Sequence, residues 1–268
     1  MQGKLFTKSF PYQIYQIIPA VSIQSQKPEK LTFLMVLPPS PGYYHTISIK
    51  RGGMDLNSEN TKWRQDFFDK VEQIRLKDPL SYLLGAQKEG EPFVFTYADA
   101  VKLAGHSCPA VSGAYKLTLK ALKALYGKEL PVRGEIRVVI KGSPTQLAYG
   151  PQAQVISLIT GASGITGFKG LGGKYSRFNK LVFDEKDFQF GTFIFQREDT
   201  GKTVKVVYDP GVLPHDPLMN ELSPKVIGGA ATAEEKEKFI ELWQGKVKKI
   251  LLEDEKYPGL FEIEEIGG

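Results

Sequence analysis

A histidine and the chain's single cysteine stand two residues apart in GHSCPAVSGAYKLTLKAL, as His106 and Cys108, just before a segment with helical periodicity. At a helix N-terminus the unpaired backbone N–H groups and the helix dipole favour thiolate over thiol. An imidazole two positions earlier, in a turn that Gly105 keeps flexible, brings a second donor towards the same centre. Thiolate plus imidazole suits zinc, and other late transition metals less exclusively. Such a site needs further ligands, for which His45 and His215 lead, followed by Asp216 and Asp99, with a partner protomer as another source. The same residues also admit a Cys–His catalytic pair. A purely structural reading makes Cys108 a small buried apolar residue and His106 a capping or hydrogen-bonded side chain.

Two other stretches carry groups able to meet a substrate. GASGITGFKGLGGKYSR has six glycines in the thirteen positions 161–173 and adds Lys169, Lys174 and Arg177. Glycines at positive φ let backbone amides converge on an anion. Gly161, Gly164 and Gly167 are therefore the expected cofactor-binding positions, with Lys169 as the substrate-side cation. No phosphate-loop register fits, and a tight connection between strands explains the glycines equally well. In VRGEIRV, Arg133 and Glu135 share one strand face and suit a structural ion pair. The catalytic alternative makes Glu135 a proton acceptor beside a metal.

The elements that must position these groups follow from periodicity. Short apolar runs in residues 12–50, split by QKPEK and PPSPG, predict a small meander of strands. Trp63, Phe67, Val71 and Ile74 recur at helical spacing and predict a helix before the break at Asp78-Pro79. SYLLGA predicts a second short helix ending at Gly85. Beyond Pro109, Val111, Ala114, Thr118, Leu122 and Leu125 form one helical face, and Lys116, Lys120 and Lys123 a solvated opposite one. GEIRVVI reads as a buried strand, and AQVISLIT as a strand or a short helix. KLVFDEKDFQFGTFIFQREDTGKTVKVVYD alternates like antiparallel strands turning at DTGK. Thr232 and Glu235 form a capping box for a terminal helix with Phe239, Leu242, Ile250 and Leu251 on its inner side.

Composition narrows the class. With 268 residues, 41% hydrophobic and 24% charged, the chain is long enough for a large core and ordinary for a soluble globular protein. Its 35 Lys plus Arg against 30 Asp plus Glu are interspersed, so no nucleic-acid partner is expected. One cysteine rules out an intramolecular disulfide and suits a reducing compartment. YQIYQIIPAVSI makes a poor signal core, and no apolar run approaches a membrane span. The expectation is a cytoplasmic protein with no membrane contact.

GHSCPAVSGAYKLTLKAL resembles the signature of the FmdE-like family of formylmethanofuran dehydrogenase proteins, and ISLITGASGITGFKG is similar to that family's Thr-Gly turn and glycine- and lysine-bearing loop. The likeness covers roughly residues 78–185. It implies an α+β fold with an antiparallel sheet packed against helices, often dimeric, holding a metal ion, commonly zinc, at His106 and Cys108. Ala104 stands where the family has its first histidine and Ala162 where it has a cysteine, and no cysteine-rich zinc ribbon follows. The expected organisation is an N-terminal strand-rich extension, 1–54, packed on an FmdE-like domain, 55–268, with a C-terminal helix. The functional expectation is a homodimeric metal-binding protein for a small anionic ligand or substrate. One alternative is a haem-binding module with Tyr43, Tyr44, Phe188 and Phe190 over the macrocycle. Another is a metal-free structural or partner-binding dimer.

Overall fold

Every second side chain of β3 (Ile136–Ile140) is buried, the period-two pattern of a strand with one face on a core. β5 (Thr192–Arg197) and β6 (Thr203–Tyr208) repeat it, with Phe193, Phe195, Val204 and Val206 inward. Phe195 pairs with Val204 across the hairpin that the DTGK turn closes. β4 (Leu181–Phe183) and β7 (Phe261–Gly267) complete a five-stranded sheet of order β4-β3-β5-β6-β7. β1 (Ile74–Leu76) and β2 (Phe93–Phe95) form a separate antiparallel pair. The computed structural model describes residues 61–267. The chain divides into two units, Met1–Lys62 and Trp63–Gly268. The strands expected in the first 54 residues, with His45, Tyr43 and Tyr44, lie outside the described residues.

The fold is α+β, as expected, with one departure in the main sheet. β4 runs parallel to β3, Val139 opposite Val182, where an antiparallel neighbour was expected. The cause is AQVISLIT, which belongs to the helix α4 (Tyr149–Thr160). A helix between two neighbouring strands is the crossover that parallel pairing requires. A second departure precedes it. Trp63, Phe67, Val71 and Ile74 do not share a helix: Phe68–Lys70 is a single 3-10 turn and Ile74 opens β1. Phe67, Val71 and Ile74 are nevertheless buried, so their spacing reflects repeated anchoring of an irregular segment to the core.

Four more helices carry clear local signals. α1 (Pro79–Leu83) starts on Pro79 and is followed by Gly85 at φ +70°. α2 (Tyr97–Ala104) has a Thr96/Asp99 capping box and ends on left-handed Gly105. α3 (Pro109–Tyr126) buries Val111, Ala114, Thr118, Leu122 and Leu125 in the core. It approaches β6 so closely at Gly113 that a Cβ there would lie 2.2 Å from the Tyr208 ring. Tyr208 also donates its hydroxyl to the carbonyl of Pro109 at 2.8 Å. After α5 (Leu218–Ile227), α6 (Ala233–Leu252) begins on the expected Thr232/Glu235 box and packs on α3. Among the described residues, no helix is long and apolar enough to cross a membrane.

The lysines of α3 do not form a solvated stripe. Lys116 and Lys120 place Nζ 2.9 Å and 2.6 Å from the two oxygens of Asp254, and Lys123 meets Glu72 at 2.7 Å. Asp254 is 8% exposed. The turn after α6 carries it over α3, a partnership between distant residues that helical periodicity cannot reveal.

Candidate functional site

Asp78 precedes α1, and its Oδ1 accepts from the N–H groups of Leu80 and Ser81 at 3.1 and 3.4 Å, the usual work of an N-cap carboxylate. Its surroundings add more. Lys77 is tied to the segment before β3 by Lys77 N–H to Pro131 O, 2.9 Å, and Arg133 N–H to Lys77 O, 2.8 Å. These bonds hold Arg133 beside Asp78, and Arg133 Nη1 donates to Oδ2 at 3.0 Å. The rest of that guanidinium caps α4, with Nε to Ile159 O at 3.1 Å and Nη2 to Leu158 O at 3.0 Å. Terminal helix carbonyls lack intrahelical donors and carry partial negative charge, so a cation there is favourable.

Arg177 arrives from the loop between α4 and β4. That loop is pinned by Arg177 N–H to Phe168 O at 2.8 Å and Ser163 N–H to Arg177 O at 3.0 Å. Arg177 Nη2 donates to Asp78 Oδ1 at 2.8 Å. Two guanidiniums thus share one carboxylate, all three at least largely buried, with Asp78 3% and Arg177 7% exposed. Nη1 of Arg177 is buried and has no hydrogen-bond partner. It lies over two glycines, and a Cβ on Gly134 or Gly161 would stand 1.4 or 2.8 Å from it. Burial pushes the Arg177 pKa below the ordinary guanidinium value; Asp78 opposes that shift and the like charge of Arg133 adds to it.

Around this cluster opens a cleft of about 570 Å³ at one end of the main sheet. Arg133, Gly134 and Glu135 from the turn before β3, Lys174 and Arg177 from the glycine loop, and Lys180 just before β4 line it. Glu198 and Asp199, from the turn after β5, close the opposite side. Lys180 is engaged by Glu198 and by Gly134 O, and Arg197 binds Asp199 through two bonds of 3.0 and 2.7 Å.

The sequence-predicted residues divide between this cleft and elsewhere. Glu135 lines the cleft, and Arg133 beside it bonds to Asp78 instead of forming the expected pair with Glu135. Lys169 is exposed, 6.0 Å from the ring centroid of Phe178, and is not among the cleft-lining residues. Gly161 and Gly167 spend their N–H groups inside the chain, on Ser157 O and Gly164 O, and Gly161 serves chiefly as a platform under Arg177. Gly164 lies in the same loop, its carbonyl accepting from Asn179 N–H at 3.1 Å.

At the entrance of α3, Cys108 is the N-cap residue, with an extended backbone and no side-chain cap bond, and its thiol is buried. Tyr97 shares a 2.8 Å hydrogen bond with Ser107, and Trp243 donates to Ser107 O at 2.9 Å. Burial raises the pKa of Tyr97 and of Tyr208, and the neighbouring Cys108 adds to both shifts. His106 is exposed and its Nδ1 meets Ala104 O at 2.9 Å. His215 is also exposed and pairs with Asn220 at 3.0 Å. Among the described residues, no three His, Cys, Asp or Glu side chains come together as a metal ligand set. His106 and Cys108 therefore do not by themselves fit a closed zinc site. Phe188 and Phe190, expected over a macrocycle, are both about half exposed.

The sequence marks Arg177 and Glu135 as groups able to meet a substrate and Asp78 only as a helix break. Asp-Pro is an N-cap signature, so the local signal was present; the second role, holding two arginines, had none.

No protein-family model matches the chain, and no curated protein matches it. Among solved structures it is similar to the crystal structure of a tungsten formylmethanofuran dehydrogenase FmdE-like protein from Syntrophus aciditrophicus, at 15% identity over 65% of this chain and 73% of that one. The TM-score is 0.34, too low for that likeness to carry an argument about fold or site.

Proposed function

We propose that this chain binds a small charged molecule in the Arg177 cleft, with an anionic group of that molecule, a carboxylate or phosphate, facing the guanidinium. The observation that carries the reading is Nη1 of Arg177: buried, without an acceptor, on a side chain whose carboxylate partner is already shared with Arg133. A guanidinium stays charged at any ordinary pH, and leaving a buried donor unmade costs about 1–3 kcal/mol. An incoming oxyanion relieves both deficits, with a small shift of the side chain off Gly134. Exposed Lys174 adds attraction at the mouth of the cleft. The volume lies inside the range of about 300–1,000 Å³ usual for small-molecule sites.

Heating the full chain with inorganic phosphate, acetate or propionate tests the reading, since a ligand of the folded state raises Tm saturably. The rise is expected in wild type and in Lys169→Ala, smaller in Lys174→Ala and absent in Arg177→Met. No saturable rise with any of the three in wild type contradicts it.

A second reading places a metal ion, with zinc the first candidate, at the entrance of α3. Its support is the thiol of Cys108 at the N-cap of α3, two residues from an exposed imidazole. A thiolate and an imidazole would then supply two donors, with the remaining positions filled by solvent or a partner protomer. Metal analysis of natively purified protein beside Cys108→Ser decides it. One equivalent lost in the variant supports a metal, a Soret band lost with it turns the reading to haem, and equal metal in both removes it.

A further inference from the structure

The charges around the cleft are mixed, and they are not equally occupied. Four basic side chains line it, Arg133, Lys174, Arg177 and Lys180, with three acidic ones, Glu135, Glu198 and Asp199. Glu198 is held by Lys180, and Asp199 by Arg197. Asp78, beneath them, is saturated by two backbone N–H groups and two guanidiniums. Glu135 differs: it is half-buried, and its carboxylate makes no hydrogen bond or ion pair among the described residues. It acts on Arg177 only through space, as one of the charges that favour the protonated guanidinium. The cleft therefore contains one buried unmet donor, Arg177 Nη1, with the exposed ammonium of Lys174 at its mouth, and one unmet acceptor, the Glu135 carboxylate, which does not bond to Arg177.

A simple anion answers half of this arrangement. It satisfies Arg177 but stands near the negative charge of Glu135, and a dianion such as phosphate does so at greater cost. A molecule with an ammonium group beside its carboxylate answers both, because a charge-assisted bond to Glu135 replaces the repulsion. Resting on the binding function proposed above, we infer that the ligand of the cleft is zwitterionic, of the amino-acid class, with its carboxylate on Arg177 and its ammonium on Glu135. Glu135 is then a specificity-determining residue that makes plain acids the weaker ligands.

Calorimetric titration of the full chain with matched pairs tests this: L-alanine and β-alanine against propionate, and 4-aminobutyrate against butyrate, at pH 7. At least one amino acid is expected to bind about tenfold more tightly than the acid lacking its amine. Glu135→Gln is expected to bring the pair to similar affinities by weakening the amino acid while leaving the acid equal or tighter. That second readout separates a specificity role from a general loss of fold, since the acid still reports an intact Arg177. If the plain acids bind as tightly as the amino acids, or if Glu135→Gln keeps the preference, the zwitterion is excluded while the anion reading stands. If neither class binds wild type, both fall together.

Discussion

The two oxygens of Asp78 are divided between two arginines, Oδ1 to Arg177 at 2.8 Å and Oδ2 to Arg133 at 3.0 Å. The carboxylate joins α1, the turn before β3 and the glycine loop in one cluster. Asp78→Ala leaves the buried Arg177 guanidinium without its carboxylate and Arg133 with helix carbonyls alone, and is expected to cost about 3–5 kcal/mol. Urea unfolding measures this, and a loss below about 1 kcal/mol would show that the arginines find other acceptors.

Gly134 is required by that cluster. It stands at φ +89°, and a Cβ would occupy the position of Arg177 Nη1. Gly134→Ala is expected to lose about 1–3 kcal/mol from backbone strain alone, and to weaken propionate binding by displacing the guanidinium. Gly105→Ala makes the control: Gly105 also has positive φ, +72°, but open space around it, so strain there should leave ligand affinity intact.

Gly113 gives a prediction opposite in sign to helix propensity. Alanine is better than glycine inside a helix by about 1 kcal/mol, yet a Cβ at this position meets the Tyr208 ring. Gly113→Ala should lower stability by about 1–3 kcal/mol through overpacking. A higher Tm in the variant would mean that α3 moves off the sheet at little cost.

Asp254 sets a pH dependence. Burial pushes its pKa up, but the hydrogen bonds from Lys116 and Lys120 outweigh burial and hold it below the ordinary carboxylate value. A carboxylate depressed on folding contributes stability above its unfolded pKa of about 4, and that contribution fades as pH falls from there through the folded value. Asp254→Asn is expected to cost about 2 kcal/mol at pH 7. The gap to wild type should hold down to about pH 5 and narrow below about pH 4. A gap unchanged at pH 3 would assign the loss to packing.

What the sequence made legible was local. The span of α3, the Thr232/Glu235 box, the DTGK hairpin and the αL glycine after α1 each depend on residues within a few positions of one another. The partners of Asp78 lie 55 and 99 residues away, and those of Asp254, Lys116 and Lys120, more than a hundred. No periodicity encodes such pairs. For the same reason the glycine loop drew attention for its amides, whereas its clearest contribution to the cleft is one arginine and the bare surface beneath it.

The most direct measurement is the side-chain NMR signal of Arg177 in the full chain, assigned by its loss in Arg177→Lys and followed as propionate and then L-alanine are added. The binding function predicts a saturable shift of the Arg177 guanidinium resonance with each, at the concentrations that raise Tm. A Tm rise with the Arg177 resonance unmoved would place the ligand elsewhere and contradict the account.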